Sequence, residues 1–343
     1  MTRDIVASYL SSVKPLVDNV IYDNVRGSPE NLYKSALHLI KAGGKRVRPA
    51  VTVAFSRMLS GYRGDHAALL YGAAVEVLHT FTLIHDDIMD EDEMRRGVPT
   101  VHKLWGTANA ILAGDLLYAY SMKLASEAAR ASDYYCDGIS PVSLLSEASI
   151  KVSEGQAMDM MFEKAEHVAV DDYLTMVYLK TGALLEASAG LGAIAGEGGC
   201  EEVWGAMLYG RLVGIAFQIR DDYLGVFGDP EKTGKPKYSD LARRKKTLLL
   251  LYTIEKAGRD RVMKLLDEEK YEELAKLMQD VGAVDYAMNM ARSLARDAAE
   301  IVDSLYRKFE DPDFDDARGE DRVREDARSF LKALAYFVVE REK

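Results

Sequence analysis

Residues 86–93 carry six carboxylates in eight positions (Asp86, Asp87, Asp90, Glu91, Asp92 and Glu93), and Arg95 and Arg96 follow at once. Charge at that density normally keeps a segment in water. Yet Leu83, Ile84, Ile88 and Met89 run through the same stretch and seek burial. On a helix, Asp86 and Asp90 lie one turn apart on one face, with Asp87 about 100° round. Carrying aligned carboxylates inwards without compensation is strongly unfavourable. A divalent cation removes the penalty. Magnesium takes one or two carboxylates, keeps several waters and completes its shell with phosphate oxygens. Asp221 and Asp222 form a second pair in another apolar stretch, 217–229. Two acidic helix faces in apolar surroundings suggest opposite walls of one metal site, whereas Glu91, Asp92 and Glu93 read as a solvated turn.

Cations supply the other half of the chemistry. Lys45, Arg46 and Arg48 stand beside Gly43 and Gly44, where a flexible backbone can approach an anion. Lys180 precedes Thr181, Lys235 lies in a glycine- and proline-rich break, and Lys245 and Lys246 lie in a basic run. Guanidinium forks and ammonium groups are the usual partners of phosphate oxygens. A single such cluster is more often surface decoration. Several of them beside two acidic pairs point to a metal-bridged diphosphate.

The elements that position these groups read as helices. Proline is absent from 142 to 229, and apolar residues recur at three- and four-residue intervals with little strict alternation. The expected fold class is therefore all-α: a helical bundle forming a single domain over 1–343. Breaks are expected near 26–31, 42–49, 95–100, 136–141, 196–202 and 228–237, with an exposed acidic loop at 309–321 before a last helix. The 190–196 segment, GLGAIAG, mimics a dinucleotide-binding pattern but follows no strand, so close helix packing is its better reading. The net charge of −11 disfavours nucleic acid as a partner. Cys136 and Cys200 are too few for a disulfide framework or a zinc site, which suits a reducing compartment. The N-terminal stretch is amphipathic rather than a signal sequence, and no run of about 20 apolar residues suggests a membrane span. A cytoplasmic location is the expectation.

Five motifs, GGKRVRP (43–49), LIHDDIMDEDEMRRG (83–97), YLKTGALLEAS (178–188), FQIRDDYLGVFGD (217–229) and TGKPKYSDL (233–241), occur in the order and approximate spacing of trans-polyprenyl diphosphate synthases. The chain resembles that family over nearly its whole length. The resemblance implies an all-α bundle around a deep cavity, usually a homodimer, that condenses an allylic diphosphate with isopentenyl diphosphate. It also implies that Asp86, Asp90 and Asp221 hold the magnesium ions, three when the allylic diphosphate is bound, with Asp87 and Asp222 in support. Arg95, Lys180, Lys235 and Lys245 would grip the allylic diphosphate, and Lys45, Arg48, His79 and Arg96 that of isopentenyl diphosphate. Thr181 and Gln218 would turn oxygens towards the developing allylic cation. Two departures stand out. Gly225 replaces a third aspartate common in relatives, and Arg243–Arg244 replace a frequent Glu-Gly pair.

Phe81 lies five residues before Asp86, about 7.5 Å down the helix axis at roughly 1.5 Å per residue, with the small Thr82 next to it. That resembles the archaeal pattern for C20 geranylgeranyl products; farnesyl or longer chains are the alternatives. A terpene cyclase would lack the 43–49 motif and the Asp221–Asp222 pair. A non-catalytic subunit of a heteromeric synthase would be expected to lose Asp86–Asp90.

Overall fold

The computed structural model describes residues 2–131, 139–230, 237–307 and 320–341. They form helices α1 (Thr2–Asn24), α2 (Glu30–Ala36), α3 (His38–Lys41), α4 (Val47–Ser60), α5 (Asp65–Met89), α6 (Val101–Trp105), α7 (Thr107–Arg130), α8 (Pro141–Lys164), α9 (Val170–Val177), α10 (Ala183–Ala195) and α11 (Cys200–Phe227). Six further helices complete the bundle, the last two being Ala283–Arg307 and Glu320–Glu340. The all-α expectation matches this architecture. One small exception interrupts it: β1 (Met94–Arg95) pairs antiparallel with β2 (Val98–Pro99). Arg96 and Gly97 join them with φ of 54° and 78°, the two positive values that a tight two-residue hairpin turn needs.

The bundle is organised around α10. Every residue from Ala183 to Ala195 is buried, as expected of a helix apolar on all sides. It packs against α11, α4, α8 and α5, and its glycines let neighbouring backbones approach. A Cβ on Gly192 would stand 2.3 Å from the Thr52 carbonyl oxygen, so the 190–196 segment serves close packing. Among the described residues only α5 is long and apolar enough to cross a membrane, and 67% of its apolar window is buried inside the bundle. Its burial against α7, α4, α10 and α1 accounts for that composition. Cys200 opens α11 and is disulfide-bonded, so two cysteines too few for a framework still include one in a bond. Cys136, Lys235 and most of the expected acidic loop at 309–321 lie outside the described residues.

Candidate active site

The first acidic motif closes α5. Helix geometry runs to Met89, and the Asp90 amide still donates to the Asp86 carbonyl at 2.9 Å, so the two aspartates keep their one-turn relation. Their environments differ. Asp87 is fully buried, and its Oδ1 accepts from Arg95 Nε at 2.5 Å. Burial pushes its carboxyl up to about 6 even though the Arg95 charge pulls it down. Asp86 is half-buried, 3.5 Å from Arg95. Asp90 is exposed, contrary to the expectation that the apolar flanks carry the whole set inwards, because the chain leaves the helix there. Asp86 Oδ1 and Asp87 Oδ2 are buried and have no hydrogen-bond partner among the described residues. Unsatisfied buried carboxylate oxygens are costly, and a cation bound there would satisfy them.

Lys180 and Thr181 are presented by a π-helical turn, Tyr178–Gly182, between α9 and α10. Such wide turns recur at functional sites because one extra residue per turn re-aims side chains. Here Lys180 Nζ reaches Asp159 Oδ2 on α8 at 2.6 Å. Thr181 donates to Gln218 Oε1 at 3.0 Å, and the Gln218 amide donates to Asp222 Oδ1 at 2.9 Å. The Tyr173 hydroxyl closes the chain on Asp222 Oδ2 at 2.6 Å. Burial raises Asp222 to about 7 against the pull of that hydroxyl. Asp221 turns the other way, with Oδ1 at 2.8 Å from the Arg341 guanidinium. At Gly225 a Cβ would stand 1.9 Å from Asp240 Oδ2. The Asp240 carboxylate fills the space that a third aspartate of the motif would need.

The cations of the 43–49 motif separate by role. Arg46, grouped by sequence with the phosphate partners, is buried at 2% exposure. It binds Asp18 at 2.7 Å and Glu76 at 3.0 Å, and also donates to the Ile40 and Gly43 carbonyls. It ties α1, the glycine break and α5 together. Arg96 docks on the same break, donating to the carbonyls of Leu39 and Gly43. Gly44 has φ of +140°, and a Cβ there would lie 2.7 Å from Arg46 and 3.0 Å from Arg96. Only glycine lets both guanidiniums pass. Arg48 points inwards, 3.2 Å from His79 Nε2. Burial lowers Arg48 to about 10, and its Nε has no hydrogen-bond partner among the described residues.

Burial, then the Arg48 charge, holds His79 well below the usual imidazole range. The ring is neutral, and since Arg48 can only donate, Nε2 accepts. A histidine depressed in the folded state contributes stability that is complete above its unfolded value near 6.5 and is lost as pH falls towards the folded value. His79→Gln keeps an acceptor for Arg48 without the titration. Between pH 7.5 and 5, wild type is therefore expected to lose stability relative to the variant, by up to about 1.4 kcal/mol per pH unit below 6.5. Urea midpoints for both proteins across that range test it, and a pH-independent difference would refute the buried neutral imidazole.

One cavity of about 620 Å³ collects Arg48, His79, Phe81, Thr82, Asp86, Arg95, Arg96, Lys180, Thr181, Gln218 and Asp221. Asp87 stands behind Asp86. Asp222 and Lys245 line a small adjoining recess with Asp159. Burial disfavours the Lys245 ammonium, but Asp240 and its acidic neighbours outweigh that and raise it. Lys45 lies elsewhere, in a cavity of about 710 Å³ between α1 and the Glu320–Glu340 helix. Phe81 packs edge-on to His85 at 4.8 Å and leans on Tyr118 of α7 at 5.6 Å. Arg243 reaches Asp92 at 3.4 Å and Arg244 reaches Asp267 at 2.8 Å, which accounts for that departure. Asp92 thus belongs to a charged network with Arg95, while Glu91 and Glu93 stay exposed. Asp159, Tyr173 and Arg341 carry no local sequence signal and were missed.

Among the described residues no three His, Cys, Asp or Glu side chains converge on one point. Oxygen donors supplied singly from two helices, with orphaned oxygens at Asp86 and Asp87, fit a hard cation that shares its shell with a phosphate.

Residues 29–281 match the family model described as polyprenyl synthetase. The chain is 43% identical to a geranylfarnesyl diphosphate synthase of Aeropyrum pernix, over 96% of this chain and 100% of that one. Identity to a geranylgeranyl diphosphate synthase of Saccharolobus solfataricus is 36%, over 100% of both chains. Among solved structures, a geranylgeranyl pyrophosphate synthetase from Pyrococcus horikoshii superposes with a TM-score of 0.81 at 35% identity, covering 97% of this chain and 98% of that one.

Proposed function

Because the chain belongs to the polyprenyl synthetase family and is a trans-prenyl diphosphate synthase, we propose that it uses magnesium to join isopentenyl diphosphate to an allylic diphosphate and releases the C20 geranylgeranyl product. The observation that carries this reading is the gathering of Asp86, Asp221, Arg95, Lys180, Arg48 and His79 around one cavity floored by Phe81. Asp86, Asp90 and Asp221 would hold the ions, with Asp87 and Asp222 behind them. Bound there, magnesium supplies Lewis-acid neutralisation of the leaving diphosphate.

The chain's own residues do the rest. Lys180 and Arg95, with Lys235 and Lys245, bind the allylic diphosphate as preorganised positive charge that needs no reorganisation when the C–O bond ionises. Thr181 keeps lone pairs towards the cavity while Gln218 fixes its rotamer. Arg48, His79, Arg96 and Lys45 orient the second diphosphate. Met160, Leu184 and Phe217 line the cavity and keep water from the cation. No dedicated acid–base pair is needed, since the released diphosphate can take the final proton.

The relative at 43% identity carries the name of a C25 synthase, which favours a geranylfarnesyl product as the second reading. Incubation with isopentenyl diphosphate and each of dimethylallyl, geranyl and farnesyl diphosphate, with magnesium or with excess chelator, distinguishes them by mass analysis of the prenols. A predominant C20 alcohol that vanishes with chelator is expected. A C25 alcohol would select the second reading, and turnover in chelator would overturn the metal-dependent mechanism. Homodimerisation is part of the proposal, supported by Ile111, Leu112 and Tyr118 exposed along one side of α7.

A further inference from the structure

Arg341 follows the Glu320–Glu340 helix and bonds Asp221, 120 positions earlier, at 2.8 Å. Its guanidinium lies over the Phe217 ring at 3.9 Å and reaches the Phe217 carbonyl at 3.4 Å. The backbone there is held separately: Arg220 donates Nε and a terminal nitrogen to the Arg341 carbonyl at 2.9 and 2.7 Å. The side chain can therefore move while its main chain stays in place. Nε of Arg341 is buried and has no hydrogen-bond partner among the described residues, so the resting position leaves a charged donor under-satisfied. Arg341 also stands on a partition. Asp221 and Phe217 line the cavity that holds the first acidic motif, whereas Arg341 lines the neighbouring one with Lys45, Lys14 and Arg3.

We propose that Arg341 is the resting counter-cation of Asp221 and a positioning residue that exchanges partners as substrates bind. Its guanidinium yields Asp221 to a divalent ion and turns into the neighbouring cavity, towards a diphosphate held at Lys45. This rests on the reading of Asp221 as a metal-holding residue and of Lys45 as an isopentenyl diphosphate contact. Electrostatics gives the exchange its direction. One carboxylate oxygen cannot serve both cations, and a displaced guanidinium is repelled by the ion and drawn to an anion. Occupation of the two subsites is then coupled, and such coupling is reciprocal.

The test uses Arg341→Gln and Arg341→Lys in the full chain. Binding of Mn²⁺ in the presence of inorganic diphosphate, followed without turnover by the paramagnetic resonance of free Mn²⁺, should tighten by about tenfold in Arg341→Gln, the scale of one charge-assisted contact removed from competition. The KM for isopentenyl diphosphate should rise by a similar factor, and Arg341→Lys should recover part of it. Opposite movements of the two readouts are the signature, because a merely structural role shifts both in the same direction. Asp221→Asn should weaken Mn²⁺ binding and erase the effect of R341Q. If Asp221→Asn weakens binding while R341Q changes nothing, or weakens it too, the exchange is overturned and the metal assignment stands. If Asp221→Asn leaves Mn²⁺ binding unchanged, both fall.

Discussion

Asp86→Ala is expected to lower prenyl-transfer turnover by roughly 100- to 1000-fold, the scale seen when one preorganised electrostatic partner is removed from an ionising step. The local geometry makes the effect separable from unfolding. Asp86 is half-buried and sits beside Asp87 and Asp90, and its Oδ1 has no hydrogen-bond partner among the described residues. Its removal relieves like-charge repulsion and leaves the Arg95–Asp87 pair in place. The thermal midpoint in chelator should therefore stay level or rise while turnover collapses. Steady-state kcat together with calorimetry in chelator checks both halves. Near-normal turnover would remove Asp86 from the mechanism, and a collapse matched by a fallen midpoint would make it a structural residue.

Phe81→Ala is expected to shift the product distribution beyond C20 by one or more five-carbon units. The diphosphate end is held near the end of α5, so each added unit drives the tail down the helix towards Phe81. Packed interiors resist added carbon, and this ring is braced on one side by His85 and on the other by Tyr118. Truncation opens the space between α5 and α7. Phe81 is only half-buried, so the stability loss should fall below the roughly 3–5 kcal/mol of a fully buried Phe→Ala change. Thr82 lines the same cavity, and its hydroxyl donates back to the His79 carbonyl at 2.8 Å. Thr82→Phe should put a second ring beside the first and shorten products towards C15. Product lengths measured at matched turnover decide the matter. An unchanged distribution in Phe81→Ala would put the floor on another helix.

Helices and the two acidic motifs were legible because their signals are local. A 3.6-residue period marks a buried face, and Asp86, Asp87 and Asp90 lie within five positions. The missing parts are long-range pairs. Lys180 meets Asp159 across 21 positions, Asp222 meets Tyr173 across 49, and Asp221 meets Arg341 across 120. None of the partners sits in a motif of its own. Burial also sorts residues that look alike in sequence. Lys45, Arg46 and Arg48 read as one cationic cluster, yet the fold sends them to a second cavity, an internal ion-pair network and the main cavity. Asp90 failed the burial expectation for a related reason: apolar neighbours predict burial only while the helix continues, and α5 ends one residue earlier.

The wide turn at Tyr178–Gly182 bears on how this gene can tolerate change. Loss of one codon inside α10 would rotate half of a fully buried helix by about 100° and expose its packing faces. Loss of one codon at the wide turn would instead convert five residues into an ordinary turn and leave α9 and α10 each intact. The outcome would be a soundly folded bundle whose Lys180 and Thr181 no longer face Asp159 and Gln218. Reading-frame-preserving lesions at this one place would thus separate folding from catalysis, and selection on activity alone is enough to keep the surplus residue.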